Sequence, residues 1–99
     1  MQAEDILLLD ISSAASFADF FVIASAGSDR QMNAILDEID IQLRKGEKVS
    51  VTGREGQPAS GWVLLDYGDV IVHLFSPEER EYYDLESLWA TAVPVVRIQ

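Results

Sequence analysis

The clearest structural signals of this 99-residue chain lie in residues Trp62–Trp89, WVLLDYGDVIVHLFSPEEREYYDLESLW. Two apolar runs flank the dipeptide Tyr67-Gly68, and a proline-started, acid-rich segment follows the second run. Apolar runs separated by two residues that include glycine are typical of a β-hairpin. The stretch therefore predicts two antiparallel strands that lead directly into a helix.

A turn centred on this dipeptide determines which side chains of the hairpin face each other. It places Trp62 opposite His73 and Asp66 opposite Asp69, because antiparallel partners are equidistant from the turn. Side chains alternate between the two faces of a strand, so one predicted face is aliphatic core and the other is mixed. The mixed face holds Trp62, Leu64, Asp66, Asp69, Ile71 and His73.

The mixed face is a candidate binding surface. Like charges that oppose each other across a ladder are destabilising, so the pair Asp66 and Asp69 beside an aromatic residue indicates a surface for a cationic partner or ion. A solvated hairpin tip explains the same pattern, because Asp is common in turns. Both interpretations stay open on spacing alone.

Composition limits the class of protein. The length and the 48% hydrophobic content predict one domain over residues 1–99. The chain has no cysteine, which excludes disulfides, thiolate metal sites and a cysteine nucleophile. The apolar runs are far shorter than the roughly 20 residues of a membrane span, and the amino terminus lacks a basic, apolar export signal. We therefore expect a cytoplasmic protein that does not bind membranes.

The charge is strongly acidic and concentrated. The net charge is −10, and residues 62–89 carry −6 of it, with seven acidic residues against Arg80. Such a surface repels phosphate backbones, so direct nucleic-acid binding is not expected as the main mode. It favours encounter with a basic protein, although solubility alone also explains it.

The first half of the chain predicts two strands and a helix. The apolar runs Ile6–Ile11 and Phe20–Ala24 are predicted strands. Ser28 and Gln31 form a capping-box pair at the start of a helix that Gly46 ends. Its apolar positions follow helical spacing at Met32, Ile35, Leu36, Ile39 and Leu43.

The remaining elements surround the hairpin. Lys48–Thr52 alternates as a short strand, and Gly53–Gly61 is a predicted loop. Ser76 is the predicted N-cap of the helix after the hairpin, and Asp84 caps a further short turn. The tail, residues 93–99, is either a strand or flexible. We predict an α/β domain with a mixed sheet of about five strands and helices packed on it.

The sequence offers little for catalysis. His73 is the sole histidine, it lies within a predicted strand, and no serine-histidine-aspartate arrangement or phosphate-binding glycine motif accompanies it. Asp66 and Asp69, together with Asp10 or Asp19, are the alternative ligands for a magnesium ion. We predict no enzyme activity, no metal and no cofactor.

Three segments, AEDILLLDI, SSAASFADFFVIASAGSDRQ and GWVLLDYGDVIVHLFSPEEREYYDLESLW, together resemble the ribosomal silencing factor, or iojap-like, family. The resemblance implies a non-enzymatic translational repressor. Such a factor binds a basic ribosomal protein of the large subunit at the subunit interface and blocks joining of the small subunit. Members usually carry a further helix ahead of the Ala3-Glu4-Asp5 strand. Here only Met1 and Gln2 precede it, which bears on stability and dimerisation.

The family is similar in fold to nucleotidyltransferases, which hold catalytic acids on the strand after a Gly-Ser helix start. Gly27-Ser28 matches that start, whereas Lys48–Thr52 contains no carboxylate. The resemblance therefore implies the scaffold without the catalytic acids. A degenerate nucleotide and magnesium binder is the alternative function, and an acidic adaptor or homodimerisation module is a second one.

The resemblance assigns the partner contacts to the hairpin. Trp62 is the expected aromatic anchor, Leu64 an apolar contact, and Asp66 and Asp69 the acceptors for lysine or arginine. Two further residues complete the predicted partner-binding set, namely Tyr67 at the tip and His73 beside the tryptophan. Helices that follow a hairpin usually bury their apolar residues onto the sheet, so the next three are predicted core residues: Tyr82, Tyr83 and Leu85.

Overall fold

A computed structural model describes residues 4–42, 52–89 and 92–98, which form six strands and three helices. The elements are β1 (Glu4–Asp10), β2 (Phe20–Ser25), α1 (Asp29–Gln42), β3 (Gly53–Glu55), β4 (Trp62–Asp66), β5 (Val70–Phe75), α2 (Pro77–Tyr83), α3 (Leu85–Leu88) and β6 (Val93–Ile98). A short 3₁₀ turn, Pro58–Ser60, connects β3 to β4.

The strands form one sheet in the order β3-β4-β5-β2-β1-β6. Strands β2 and β5 are parallel, and the other neighbouring strands are antiparallel. The predicted mixed sheet is therefore confirmed. It has one strand more than expected, because the tail adds β6 to the outer side of β1.

The third described strand lies in a segment that was predicted to be a loop. Apart from Thr52, the predicted strand Lys48–Thr52 lies outside the described residues, as does the predicted helix end at Gly46. Gly53–Glu55, which was predicted to be loop, pairs with β4 as an edge strand. The tripeptide has poor strand propensity, so its pairing with β4 decides its conformation.

Both faces of the sheet are covered by apolar side chains. Helix α1 packs on one face, where it buries Met32, Ile35 and Leu36 against β2, β4 and β5. The opposite face, here called the Trp62 face, is covered by α3 and by the segments around Ala15, Ala18 and Trp89. The mixed hairpin face is therefore partly core, contrary to the expectation of one core face only.

The helix starts follow the predicted caps. The Ser28 hydroxyl accepts a hydrogen bond from the backbone N–H of Gln31 at 3.1 Å, and the Gln31 side chain accepts one from Gly27 at 2.9 Å. The Ser76 hydroxyl accepts from Glu79 N–H at 3.3 Å at the start of α2. Both signals are local, which is why the sequence alone could place them.

The hairpin register differs from the prediction by two residues. Leu64 pairs with His73 and Asp66 with Ile71, so the predicted opposition of Asp66 to Asp69 is wrong. Tyr67 N–H donates to the Val70 carbonyl at 2.9 Å, which makes Gly68 the first of the two central turn residues. Its φ of +90° is typical of a type II′ turn. A shift of two residues keeps the side chains of the two strands on their predicted faces, whereas Asp69 becomes part of the turn.

Candidate functional site

Trp62 is the centre of an aromatic cluster on the Trp62 face. Its half-buried ring stacks on Phe75 with ring centroids 5.0 Å apart, and the ring of Tyr83 lies 4.6 Å away. Its indole Nε1–H donates to Nδ1 of His73 at 3.2 Å. The tryptophan therefore has a fixed orientation and still presents part of its ring to solvent.

His73 lies beneath this tryptophan and does not reach the surface. Only 4% of the residue is exposed, and the Phe21 ring packs edge-on against it at 4.6 Å. Burial lowers the pKa of His73 to about 4, so the imidazole is neutral at physiological pH. The predicted partner contact at His73 does not fit this position. The residue instead orients Trp62.

Three of the predicted contacts remain accessible on the same side as Trp62 or at the tip. Leu64 and Asp66 follow Trp62 along one face of β4, and both are half-exposed. One carboxylate oxygen of Asp66 accepts the Gly68 N–H at 2.8 Å, so this side chain also stabilises the turn. Asp69 is exposed at the tip, and its backbone carbonyl accepts two N–H groups at the start of β2.

Tyr67 lies on the opposite face of the hairpin. It packs against the cluster under α1, and its hydroxyl is buried. Burial raises the pKa of Tyr67, and the charge of Asp40 on α1 adds to this. A flat partner that contacts Trp62 and Leu64 does not reach the Tyr67 ring, because the sheet lies between them.

Sequence reasoning missed part of the site in α2. Leu85 is buried as predicted, whereas Tyr82 and Tyr83 are 78% and 43% exposed, so the core prediction was wrong for the two tyrosines. Helix α2 ends at Tyr83, and the exposed half of that ring extends the surface formed by Trp62. The spacing of the acidic residues in α2 does not indicate that Tyr82 and Tyr83 are exposed.

A cleft of about 290 Å³ lies beside the cluster. It is lined by Glu55, Gly56, Ser60, Trp62, Leu64 and Tyr83. The β3–β4 connection forms one wall and the end of α2 the other. The predicted loop Gly53–Gly61 is thus part of the candidate site.

Arg80, the basic residue of α2, forms its contacts inside the protein. Arg80 is buried and donates to the Asp5 carbonyl at 2.5 Å and to the Ser25 hydroxyl at 2.9 Å. Its guanidinium also pairs with Glu86 at 3.2 Å. The single base of residues 62–89 is therefore satisfied internally, and the surface of this region is acidic.

Asp10, one of the alternative magnesium ligands, is hydrogen-bonded within its own loop. The Asp10 carboxylate accepts the N–H and hydroxyl of Ser12 at 2.9 and 2.6 Å, which lowers the pKa of Asp10. Within residues 4–42, 52–89 and 92–98, no three His, Cys, Asp or Glu side chains are grouped to hold a metal ion.

In the same ranges, no helix is both long and apolar enough to cross a membrane.

Comparisons with known proteins agree on one family. The family model described as "Ribosomal silencing factor during starvation" matches residues 1–99. The Ribosomal silencing factor RsfS of Bacillus subtilis is 45% identical over 91 residues, which cover 92% of this chain and 76% of that protein. The mouse protein named Mitochondrial assembly of ribosomal large subunit protein 1 is 33% identical and is covered to 39% of its length. A crystal structure of a Chromobacterium violaceum protein, 37% identical, superimposes with a TM-score of 0.84 over 90% of this chain and 73% of that one.

Proposed function

The chain belongs to the ribosomal silencing factor family, RsfS, and from this premise we propose how it regulates translation. The protein binds a basic ribosomal protein of the large subunit at the subunit interface. Bound there, it sterically prevents the small subunit from joining. The activity requires no catalysis and is exerted in the cytoplasm.

One observation supports this proposal best, namely the orientation of Trp62. Protein interfaces concentrate binding energy in a few desolvated aromatic residues whose conformation is fixed before binding. The Trp62 ring meets this requirement, because Phe75 and His73 hold it while part of it stays exposed.

The carboxylates near Trp62 favour contact with ribosomal protein over contact with ribosomal RNA. Asp66 lies on the same face as Trp62, and Asp69 is exposed at the tip. These acids attract lysine and arginine side chains of a ribosomal protein and repel the phosphates of ribosomal RNA. The protein is therefore directed to a protein component of the subunit surface.

The experiment is sedimentation of the full chain with purified large subunits, small subunits and joined ribosomes. We expect binding to free large subunits, no binding to small subunits, and a loss of joined particles when the protein is added before the subunits are mixed. Equal binding to both subunits, or unchanged joining at saturation, contradicts the proposal.

The homodimer expected from the sequence is a second proposal, and strand β6 favours it. All six residues of β6 are exposed at the edge of the described sheet. Its apolar side chains are 45–58% exposed, at Val93, Val95, Val96 and Ile98. Unpaired apolar edge strands are templates for pairing with another chain. Sedimentation equilibrium of the wild type and of Val95→Lys tests this: a monomeric wild type, or a Val95→Lys variant that still dimerises as the wild type does, contradicts pairing through β6.

A further inference from the structure

The cleft beside Trp62 is suited to bind one extended side chain. Trp62 and Leu64 form its apolar floor, and the Tyr83 ring forms a wall. Ser60 and Glu55 also line the cleft, and Glu55 is the register partner of Leu64 on the adjacent strand. An apolar and aromatic lining that includes a carboxylate suits a ligand with an aliphatic stem and a charged end.

The glycines show why the cleft has this shape. Gly56 has a φ of +90°, and a Cβ there would collide with the Trp62 carbonyl. Gly61 has a φ of +83°, and a Cβ there would collide with the Glu79 side chain and the Ser76 hydroxyl. The β3–β4 connection can therefore lie directly against β4 and α2, and the cleft walls are fixed by backbone packing.

The charges in and around the cleft favour a positively charged ligand. Among the residues that the structure describes, the lining contains one carboxylate, Glu55, and no basic residue. The adjacent Arg54 lies on the other face of the sheet, where it lines a hollow beside α1. Arg80, the nearby base of α2, is buried and engaged by Asp5, Ser25 and Glu86. Within the described part of the chain, a cation that enters the cleft therefore meets a carboxylate without a basic partner.

We propose that this cleft binds one long basic side chain of the ribosomal protein, with arginine favoured over lysine. The stem lies along Leu64 and Trp62, the cation lies over the aromatic rings, and its N–H groups pair with Glu55. Arginine is favoured because its planar guanidinium stacks on aromatic rings and bonds a carboxylate through two N–H groups. This inference rests on the proposed function and gives Glu55 and Tyr83 of the candidate site a direct role in partner binding.

A first test is independent of the ribosome. Two-dimensional NMR follows the indole N–H of Trp62 while N-acetyl-arginine amide is titrated into the full chain, with the neutral citrulline analogue as the matched probe. We expect a saturable shift with the arginine probe, a smaller one with the lysine analogue, and none with citrulline. The absence of a shift with arginine, or an equal shift with citrulline, overturns the cleft proposal. A concentration-dependent shift without any probe also overturns it, because a second copy would then occupy the cleft.

A second test uses the ribosome and separates the two proposals. Glu55→Gln should weaken binding to large subunits by about tenfold, as expected for one charge-assisted pair, and should abolish the arginine-induced shift. Glu78→Gln removes the same charge from an exposed site outside the cleft and should change neither readout. If Glu55→Gln binds large subunits as the wild type does, the cleft proposal fails and the proposed function stands. If the wild type does not bind large subunits, the proposed function fails whatever the NMR result.

Discussion

Trp62 and His73 are hydrogen-bonded across 3.2 Å although they are not direct partners in the β4–β5 ladder. Trp62 pairs with Phe75 and His73 with Leu64, so the bond runs diagonally across one face of the hairpin. The neutral imidazole accepts the indole N–H and thereby places the tryptophan edge toward the core. This relationship connects the stability of the domain to its candidate binding surface.

The first prediction concerns affinity. Trp62→Ala should reduce binding to large subunits by on the order of 2 kcal/mol or more, because it removes the proposed anchor of the interface. The substitution also costs stability, because the Trp62 ring packs against Phe75 and Tyr83. Binding should therefore be measured by sedimentation under conditions where urea unfolding shows the variant to be folded. Wild-type affinity in the folded variant removes Trp62 from the site.

The second prediction concerns pH. The pKa of His73 is lowered to about 4 in the folded protein, whereas an unfolded chain has a histidine pKa near ~6.5. Between these values the unfolded state binds a proton that the folded state does not, so the free energy of unfolding falls as the pH decreases from 6.5 to 4. The loss should approach about 3 kcal/mol. Urea unfolding at several pH values measures it.

The control for this effect is His73→Phe, which removes the only histidine of the sequence. The variant loses the acceptor for Trp62 and is less stable at neutral pH, but its stability should change little between pH 6.5 and 4.5. An equally steep decline in the variant would assign the pH dependence to other groups.

Local signals in the sequence predicted the parts of the fold that depend on neighbouring residues. The caps at Ser28 and Ser76 and the alternation in β4 and β5 were predicted correctly, because the interactions span a few residues. The register of the hairpin was predicted incorrectly. A turn centred on Tyr67-Gly68 and one centred on Gly68-Asp69 give nearly the same alternation of apolar and polar residues in the two strands, so the sequence does not distinguish them. Strand β3 depends on a partner ladder, and the sequence of Gly53–Glu55 does not show it.

The candidate site likewise combines features that the local sequence predicts with features that depend on tertiary packing. The position of Trp62 on the face of Leu64 and Asp66 follows from strand alternation and was predicted. The burial of His73 depends on Phe21 and on the covering segments, which are distant in sequence. The exposure of Tyr83 depends on how α2 lies across the sheet. Tertiary packing, rather than local preference, determines both.

The third prediction concerns Arg80. Arg80→Met should lower the free energy of unfolding by about 3 kcal/mol, because it leaves Glu86 and the polar groups of Asp5 and Ser25 without their donor. Adding Glu86→Gln should recover part of the loss, since it removes the uncompensated charge. Arg97→Met is the matched control. Arg97 pairs with Asp5 at 3.0 Å but is half-exposed, so its loss should cost less than about 1 kcal/mol. Equal losses for the two variants would contradict an internal role for Arg80.

The fourth prediction separates backbone strain from close packing in the wall of the cleft. Gly56 and Gly68 share a φ of +90°, but a Cβ at Gly56 collides with the Trp62 carbonyl, whereas a Cβ at Gly68 meets nothing within 4 Å. Gly68→Ala should therefore cost about 1 kcal/mol, the strain of an L-residue in this conformation. Gly56→Ala should cost more, on the order of 2–3 kcal/mol, because the connection must also move away from β4. Chemical unfolding measures both losses, and the indole N–H signal of Trp62 should shift in Gly56→Ala and stay in place in Gly68→Ala. Identical losses with an unchanged indole signal would mean that the added Cβ is accommodated at no further cost, and that Gly56 does not fix the cleft.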